Sequence, residues 1–523
     1  MPPTFTYPGV YIEELPSGVH TITGVATSIA AFVGWAPQGP VDRAVLIESF
    51  ADFERQFGGL NSGSYLGYAV NHFFGNGGQQ AYIVRLVATA TDTPAAATMA
   101  ATASNTISTL SLFASNPSSW ANSIQVTVTP STADPTRFSV LVQQVNGPQT
   151  TTLESFANLS VSPTDPQYVI TVIDSDSNYI TFIDPAISPP TAPPPPALPA
   201  APANGMLGAG TPGVDGDVLV PSTDGNFELA LLSLAGGVGI HLLDRVDIFN
   251  LLCVPGETDA PTITQLQTFC KGKRAFYIVD PPQLSTVAGL TASGPAGAGG
   301  VSVIGPDVSY AAYYFPWVKA PDPLFGNRPA LFPPCGFVAG IYAATDASRG
   351  VWKAPAGIGA GLSGVLGLQF TLTDLENGDL NIQAINCLRN FKVFGDVVWG
   401  ARTLDGNDQT GSQWKYVPIR RLALYIESSL LAGTQWVVFE PNDERLWSQI
   451  RLNVGAFMQG LFLQGAFQGT TPQKAYFVKC DAENNPQSSI DLGIVKILVG
   501  FAPLFPAEFV FIEIQQMAGQ LQA

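Results

Sequence analysis

The sequence predicts a multidomain α/β (α+β) protein with a β-rich insertion and an extended strand arm at each end. Three observations predict it. The chain is 523 residues long, more than one ordinary core organises, so two to four domains are expected. Helix-like and strand-like patterns alternate toward both ends, while a stretch rich in Ala, Thr, Ser and Pro divides them. Both extremes carry short alternating apolar runs with no local strand to pair with.

Tyr7–Glu14 alternates Val10 and Ile12 against Tyr11 and Glu13, bracketed by Pro8 and Pro16, and reads as an edge strand. A lone strand is unstable, so it must join a sheet elsewhere. Ile29–Trp35 reads as a buried strand. Ser49 is placed to cap a helix bearing Phe50, Phe53 and Phe57, stopped by Gly58-Gly59. Tyr65–Phe74 is a second helix with Leu66, Ala69, Val70 and Phe73 inward, and Ala81–Val87 is a strand.

From about Ala88 the composition shifts. Ile124–Thr129, Phe138–Gln144, Tyr168–Ile173 and Tyr179–Ile183 read as short strands of a sandwich or barrel. A proline tract at 189–196 leads into a loop that runs to about Asp224. Residues 226–375 return to α/β, with strands at Val246–Val254 and Arg274–Asp280 around a helix at Ile263–Cys270. Tyr310–Trp317 and Gly336–Ala344 extend that pattern.

The last third is expected to open with a helix at Ile382–Phe391 and a strand at Val393–Trp399. A long helix runs from Pro418 to Gly433, and Asn442 caps the next. Strands follow at Ala475–Cys480, Ile490–Phe501 and Glu508–Gln516. The last alternates Val510, Ile512 and Ile514 against Phe509, Phe511 and Glu513.

Charge narrows the function. The net is −17, and between Leu86 and Asp244 the only basic residue is Arg137. Residues 380–523 hold 11 basic and 12 acidic side chains, so the acidity lies upstream. Phosphate and anionic lipid are bound through Lys and Arg runs, so neither nucleic acid nor membrane insertion is expected. A low-charge surface suits packing against protein. Met1–Tyr7 has no basic n-region, and Gly493–Phe511 is broken by Lys496, Pro503, Pro506 and Glu508, so neither a secretory signal nor a span is read. The five cysteines are scattered, which predicts buried free thiols and synthesis in a reducing cytoplasm.

No catalytic, cofactor or metal constellation is read. The three histidines, His20, His72 and His241, have no metal-type neighbours, and His72 lies between apolar residues as core or interface residues do. Gly208-Ala-Gly210-Thr-Pro-Gly213 spells G-x-G-x-x-G, but no strand precedes it and no helix follows. Asp443-Glu444 suit a first helical turn electrostatically and need no catalytic role. Arg420-Arg421 read as a salt-bridging, partner-facing pair.

Two long segments resemble the contractile tail sheath family. One runs from Tyr7 to Leu86: YPGVYIEELPSG, GVATSIAAFVGWAPQGP, SFADFERQFGG and FFGNGGQQAYIVRL. The other spans Asn386–Gln516: VVWGARTL, YVPIRRLALYIESSL, WVVFEPNDERLW, GAFQGTTPQKAYFVKCD and GFAPLFPAEFVFIEIQQ. Together they cover about 210 residues in family order.

The resemblance implies a division into an N-terminal arm (1–20), a tube-facing core domain joined from 21–87 and 376–503, a variable outer insertion (88–225), a non-catalytic subtilisin-like domain (226–375) and a C-terminal arm (504–523). It implies a structural subunit, not an enzyme, of a sheath around an inner tube that contracts from a metastable extended state. Implied partners are copies of itself in stacked helical rings, the inner tube, baseplate and terminal cap proteins, and paralogous sheath subunits where several exist. The implied location is a phage virion or an injection particle assembled in the bacterial cytoplasm. Tyr7, Val10, Tyr11 and Ile12 at one end, and Glu508, Phe509, Val510, Phe511, Ile512 and Ile514 at the other, are the implied inter-subunit strands. Arg420, Arg421, Asp443, Glu444, Arg445 and Arg451 are candidates to face a partner or the tube. Another structural protein, such as a tube or shell subunit, and a surface hydrolase remain the alternatives.

Overall fold

A computed structural model describes residues 20–88, 98–184, 193–223, 225–233, 238–294, 305–408, 411–511 and 513. In chain order the elements begin with β1 (Ala30–Trp35), β2 (Val45–Ile47), α1 (Phe50–Phe57), α2 (Leu66–Gly75) and β3 (Ala81–Leu86). The insertion holds β4 (Ser104–Ile107), β5 (Leu110–Ala114), β6 (Ile124–Pro130), β7 (Phe138–Asn146), β8 (Gln149–Leu159), α3 (Val169–Asp176), β9 (Ile180–Thr181) and β10 (Ala203–Met206). Next come α4 (Asn226–Leu231), β11 (Leu251–Cys253), α5 (Ala260–Lys273), β12 (Phe276–Val279), α6 (Val287–Ser293), β13 (Ala311–Phe315), β14 (Val318–Asp322), β15 (Arg328–Phe332) and α7 (Cys335–Arg349). The chain continues through β16 (Gly367–Leu368), α8 (Asp374–Ile382), β17 (Ile385–Phe391), β18 (Gly395–Val398), α9 (Val417–Gly433) and α10 (Glu444–Leu463). Last are α11 (Pro472–Ala475), β19 (Tyr476–Lys479), α12 (Gln487–Asp491) and β20 (Leu498–Phe501). The chain divides into two compact units, Ala26–Arg421 and Met1–Val25 with Leu422–Ala523.

The larger unit is organised by an eight-stranded sheet ordered β18-β17-β13-β12-β11-β1-β3-β2. Its inner six strands run parallel, and β2 and β18 close the two edges antiparallel. Ala30 is in register with Leu251 on one side and Ala81 on the other. Central parallel strands are covered on both faces, which is why β1, β11, β12 and β13 are buried at every position. Segments 21–87, 226–375 and 376–503 all contribute strands to this one sheet. On one face α7 presses against α2: a Cβ on Gly336 would sit 2.4 Å from the Ala69 carbonyl oxygen, so only glycine permits the approach.

Local signals hold where they were strongest. The Ser49 hydroxyl accepts the Asp52 N–H at 3.2 Å, and Gly58 ends α1 at φ 85°. The insertion is built from a four-stranded sheet (β10-β6-β7-β8) and a three-stranded sheet (β4-β5-β9) sharing one apolar core. Arg85 anchors its base. The buried guanidinium donates to the Ala36 and Gly39 carbonyls at 2.7 Å and the Ser118 hydroxyl at 2.5 Å, and burial lowers its pKa to about 9.

Several elements differ from expectation. Tyr168–Ile173, expected as a strand, leads into helix α3, which buries Val169, Ile170 and Ile173; their β-branching mimics a strand while their spacing of one and three follows a helix face. Ile382–Phe391, expected helical, is the end of α8 followed by β17. Residues 385–389 are all buried inside a parallel sheet, so the run carries no alternation to mark it as strand. The strand expected over Val246–Val254 shortens to β11, and the one over Ile490–Phe501 shortens to β20 after α12. Asp443, not Asn442, caps α10, because Asn442 is engaged by the Trp447 indole N–H at 2.8 Å.

Candidate assembly surface

In the larger unit the buried carboxyls and His72 are packed into the fold. Burial among apolar groups lowers the His72 pKa to about 3, and its ring stacks 3.9 Å from Phe337. Two carboxyls that sequence reasoning missed lie just past the C-terminal ends of parallel strands, Glu257 after β11 and Asp280 after β12. Asp280 accepts the Gly256 N–H at 3.0 Å and the Cys335 N–H at 2.8 Å, fastening a turn to the start of α7. Burial raises it to about 6. Glu257 accepts the Asp259 N–H at 2.6 Å and the Ser222 hydroxyl at 2.8 Å; burial, reinforced by Glu228, raises it to about 8. The Gly208–Gly213 loop is packing too: Asn122 bonds the N–H and carbonyl of Gly213 at 2.7 and 2.9 Å. All five cysteines are buried and free. Among the described residues no group of His, Cys, Asp and Glu could hold a metal ion, and no helix is long and apolar enough to cross a membrane.

Burial corrects the expectation for Arg420 and Arg421, which do not face outward. Arg421 pairs with Asp346, and the Arg420 guanidinium lies 3.8 Å from the Tyr310 ring centre and 4.5 Å from that of Trp414. Adjacent arginines with aromatics scattered through the sequence gave no local sign of this. Asp443 and Glu444 behave as a helix start should. Asp443 caps α10 by accepting the Leu446 N–H at 3.0 Å, and exposed Glu444 bonds Arg451 at 2.6 Å, which holds its carboxyl below the usual range. Arg451 also donates to the Cys480 carbonyl, and Arg445 is exposed on the same first turns.

The smaller unit presents apolar surface. Among the described residues its sheet has two strands, β19 and β20, paired antiparallel from Tyr476–Phe501 to Lys479–Leu498. Tyr476 fixes this sheet to α10, its hydroxyl donating to the Gln459 side chain at 2.9 Å. Past β20, Phe509, Val510 and Phe511 form no strand and are exposed, Phe511 by 92%. The strand expected over Glu508–Gln516 is thus not formed at its described residues. Tyr7, Val10, Tyr11, Ile12, Ile512 and Ile514 lie outside the described residues. Exposed apolar runs of this size mark contact surfaces in soluble proteins, and two strands fall short of the three that stand alone.

Comparison with known proteins adds identity to this geometry. Residues 246–404 match the phage tail sheath protein central domain and residues 409–517 the phage tail sheath C-terminal domain, together just over half of the chain. A protein described as a prophage major tail sheath protein of Pseudomonas aeruginosa (strain UCBPP-PA14) is 26% identical over 51% of this chain and 66% of its own length. The tail sheath protein of Vibrio phage KVP40 is 28% identical over 32% of this chain and 24% of its own. The chain therefore spans less than two thirds of either curated relative. Among solved structures, the PVC sheath complex of an extracellular contractile injection system, in its contracted state, aligns over 98% of both chains with a TM-score of 0.58 and 23% identity. The contracted helical sheath of the anti-feeding prophage aligns over 98% of this chain and 100% of its own (TM-score 0.57, 22% identity). A sheath tail protein from Listeria innocua aligns over 92% and 96% (TM-score 0.59, 14% identity). These likenesses establish the fold.

Proposed function

The chain belongs to the phage tail sheath protein family, and on that premise we propose that it is the structural subunit of a contractile sheath surrounding the inner tube of a phage tail or a tail-like injection system. The observation that carries this reading is a two-stranded sheet among the smaller unit's described residues, followed in the chain by the exposed Phe509, Val510 and Phe511. In an isolated molecule that arrangement leaves two phenyl rings in water. In a lattice each end supplies what a neighbour lacks.

Residues 7–14 and 508–516 are read as strands donated to other copies. Eight residues reach about 26 Å at ~3.3 Å per residue, enough to cross a subunit boundary. Each added backbone hydrogen bond contributes only ~1 kcal/mol net. Several of them, with Val10, Ile12, Val510 and Ile512 buried, give a tether that bends without letting go. Subunits tethered in this way slide from an extended to a wider, shorter lattice, and the tube is driven forward. The free energy is stored in conformation, so the proposal gives the chain no catalytic role. The domain of residues 226–375 is read as subtilisin-like in shape only. Asp443, Glu444, Arg445 and Arg451 remain the tube-facing candidates, and the acidic insertion faces outward, where length varies freely. Partners on this reading are further copies, the tube, the baseplate and the cap, with assembly in the producing cell's cytoplasm.

Electron microscopy of the purified full chain tests it. Hollow striated cylinders are expected. Thin tubes or closed shells would point instead to another structural class, and monomers that turn over a substrate would overturn the reading.

A further inference from the structure

The loop joining α9 to α10 carries at its middle a bulky apolar residue held out into water. Phe439 is fully exposed, and its backbone sits at φ 71°, a conformation bulky residues avoid. The loop carrying it is firmly held. Trp436 stacks on His20 with ring centres 4.2 Å apart, the Val437 N–H donates to the Thr434 carbonyl at 3.0 Å, and the Glu440 N–H donates to that of Val437 at 3.2 Å. The phenyl ring is therefore presented on a rigid turn.

Elsewhere in the same unit lies a pocket of about 260 Å³ walled by Ile22, Tyr425, Phe457 and Leu461. Asn453 lines it, 2% exposed, and neither its amide nitrogen nor its amide oxygen has a hydrogen-bond partner among the described residues. A buried carboxamide left unpaired on both sides asks for one donor and one acceptor, which is what a single peptide backbone carries. A Cβ on Gly460 would meet nothing within 4 Å, so the wall there is open space. An apolar cavity of about 150 Å³ already accepts a benzene ring. The lining carries no charge, and neither does the Gln435–Phe439 turn.

We infer that Phe439 of one subunit seats in the Ile22/Phe457/Leu461 pocket of a second copy, with the turn's backbone meeting the Asn453 carboxamide. In its own copy Phe439 is in water and does not line the pocket, so the contact is between copies. Knob and pocket are different patches of one surface, so the interface is heterologous and repeats into a ring or an open helix. The inference rests on the sheath reading above and adds a specific contact to it, independent of the terminal strands.

The test uses the full chain. Phe439→Ala removes a ring that is fully exposed in the subunit, so the thermal midpoint of the unassembled subunit should stay unchanged while the concentration needed for cylinders rises at least tenfold. Asn453→Leu relieves the unpaired amide, so it should raise that midpoint while also weakening assembly. A Phe439→Cys/Gln464→Cys chain, treated with a short bis-maleimide after assembly, should give a ladder of linked subunits on a denaturing gel, since the native cysteines are buried. If cylinders form from Phe439→Ala at the unsubstituted concentration, or assembled double-cysteine cylinders give no ladder, the knob-and-pocket contact is wrong and the sheath reading stands. If the unsubstituted chain makes no cylinders, the sheath reading itself falls.

Discussion

Asp346, near the end of α7, and Arg421, at the start of α9, form a two-pronged ion pair sealed from water. Oδ1 lies 2.9 Å from Nη1 and Oδ2 lies 2.6 Å from Nη2, with the two side chains 2% and 3% exposed. Arg421 also donates to the Thr27 carbonyl at 2.8 Å, so the pair joins three distant parts of the chain. Removing one member strands a buried charge. Asp346→Ala should cost about 3–5 kcal/mol, read as a lowered denaturant midpoint, whereas a paired Asp346→Leu/Arg421→Met change should recover most of that loss.

Glu257 should make stability fall as pH rises. Its carboxyl titrates near 8 when folded against an ordinary value of 4.5, so above 4.5 the native state holds more protons than the unfolded one. Its contribution is complete below 4.5 and gone above about 8. Asp280, raised to about 6, adds to the slope only up to that pH. Between pH 6.5 and 8 the slope should approach at most ~1.4 kcal/mol per pH unit, and Glu257→Gln, which cannot ionise, should flatten it. Chemical unfolding across that range measures both.

Arg85 is held by five acceptors: the Ala36, Pro37, Gly39 and Pro117 carbonyls and the Ser118 hydroxyl. A lysine has three donors on a single nitrogen and cannot span that fork. Arg85→Lys should destabilise the folded chain by about 2–4 kcal/mol, since buried carbonyls lose their partners. Thermal unfolding reads the loss directly.

What the sequence made legible follows from how far each signal reaches along the chain. Ser49, Gly58 and the Phe53/Phe57 spacing act within one or two turns, and α1 stands where they put it. β1 was equally plain from an unbroken apolar run, and β3 from an apolar run interrupted only by Arg85. β17 was not, because a strand buried on both faces loses the period-two pattern that would separate it from a helix. The partners of Arg421 and Arg420 lie up to 394 and 110 positions away, and no local pattern encodes them. Likewise the carboxyls of Glu257 and Asp280 owe their character to burial past the C-terminal ends of central strands, in a sheet assembled from separate segments. The alternating runs at the two ends remain sequence patterns: residues 508–511 form no strand in the structure, and residues 7–14 lie outside the described residues.

The ends should be dispensable for folding and required for assembly. A chain lacking residues 1–15 should keep its thermal midpoint within a few degrees yet fail to build contractile cylinders, checked by sedimentation and negative-stain imaging. Normal sheaths from that truncation would argue against strand donation.

The most direct measurement is a cryo-EM reconstruction of cylinders assembled from this chain, traced through both ends. The account predicts residues 7–14 and 508–516 lying as added strands against the β19–β20 sheets of other copies. Both ends folded back and paired within their own subunit, in an intact cylinder, would contradict it.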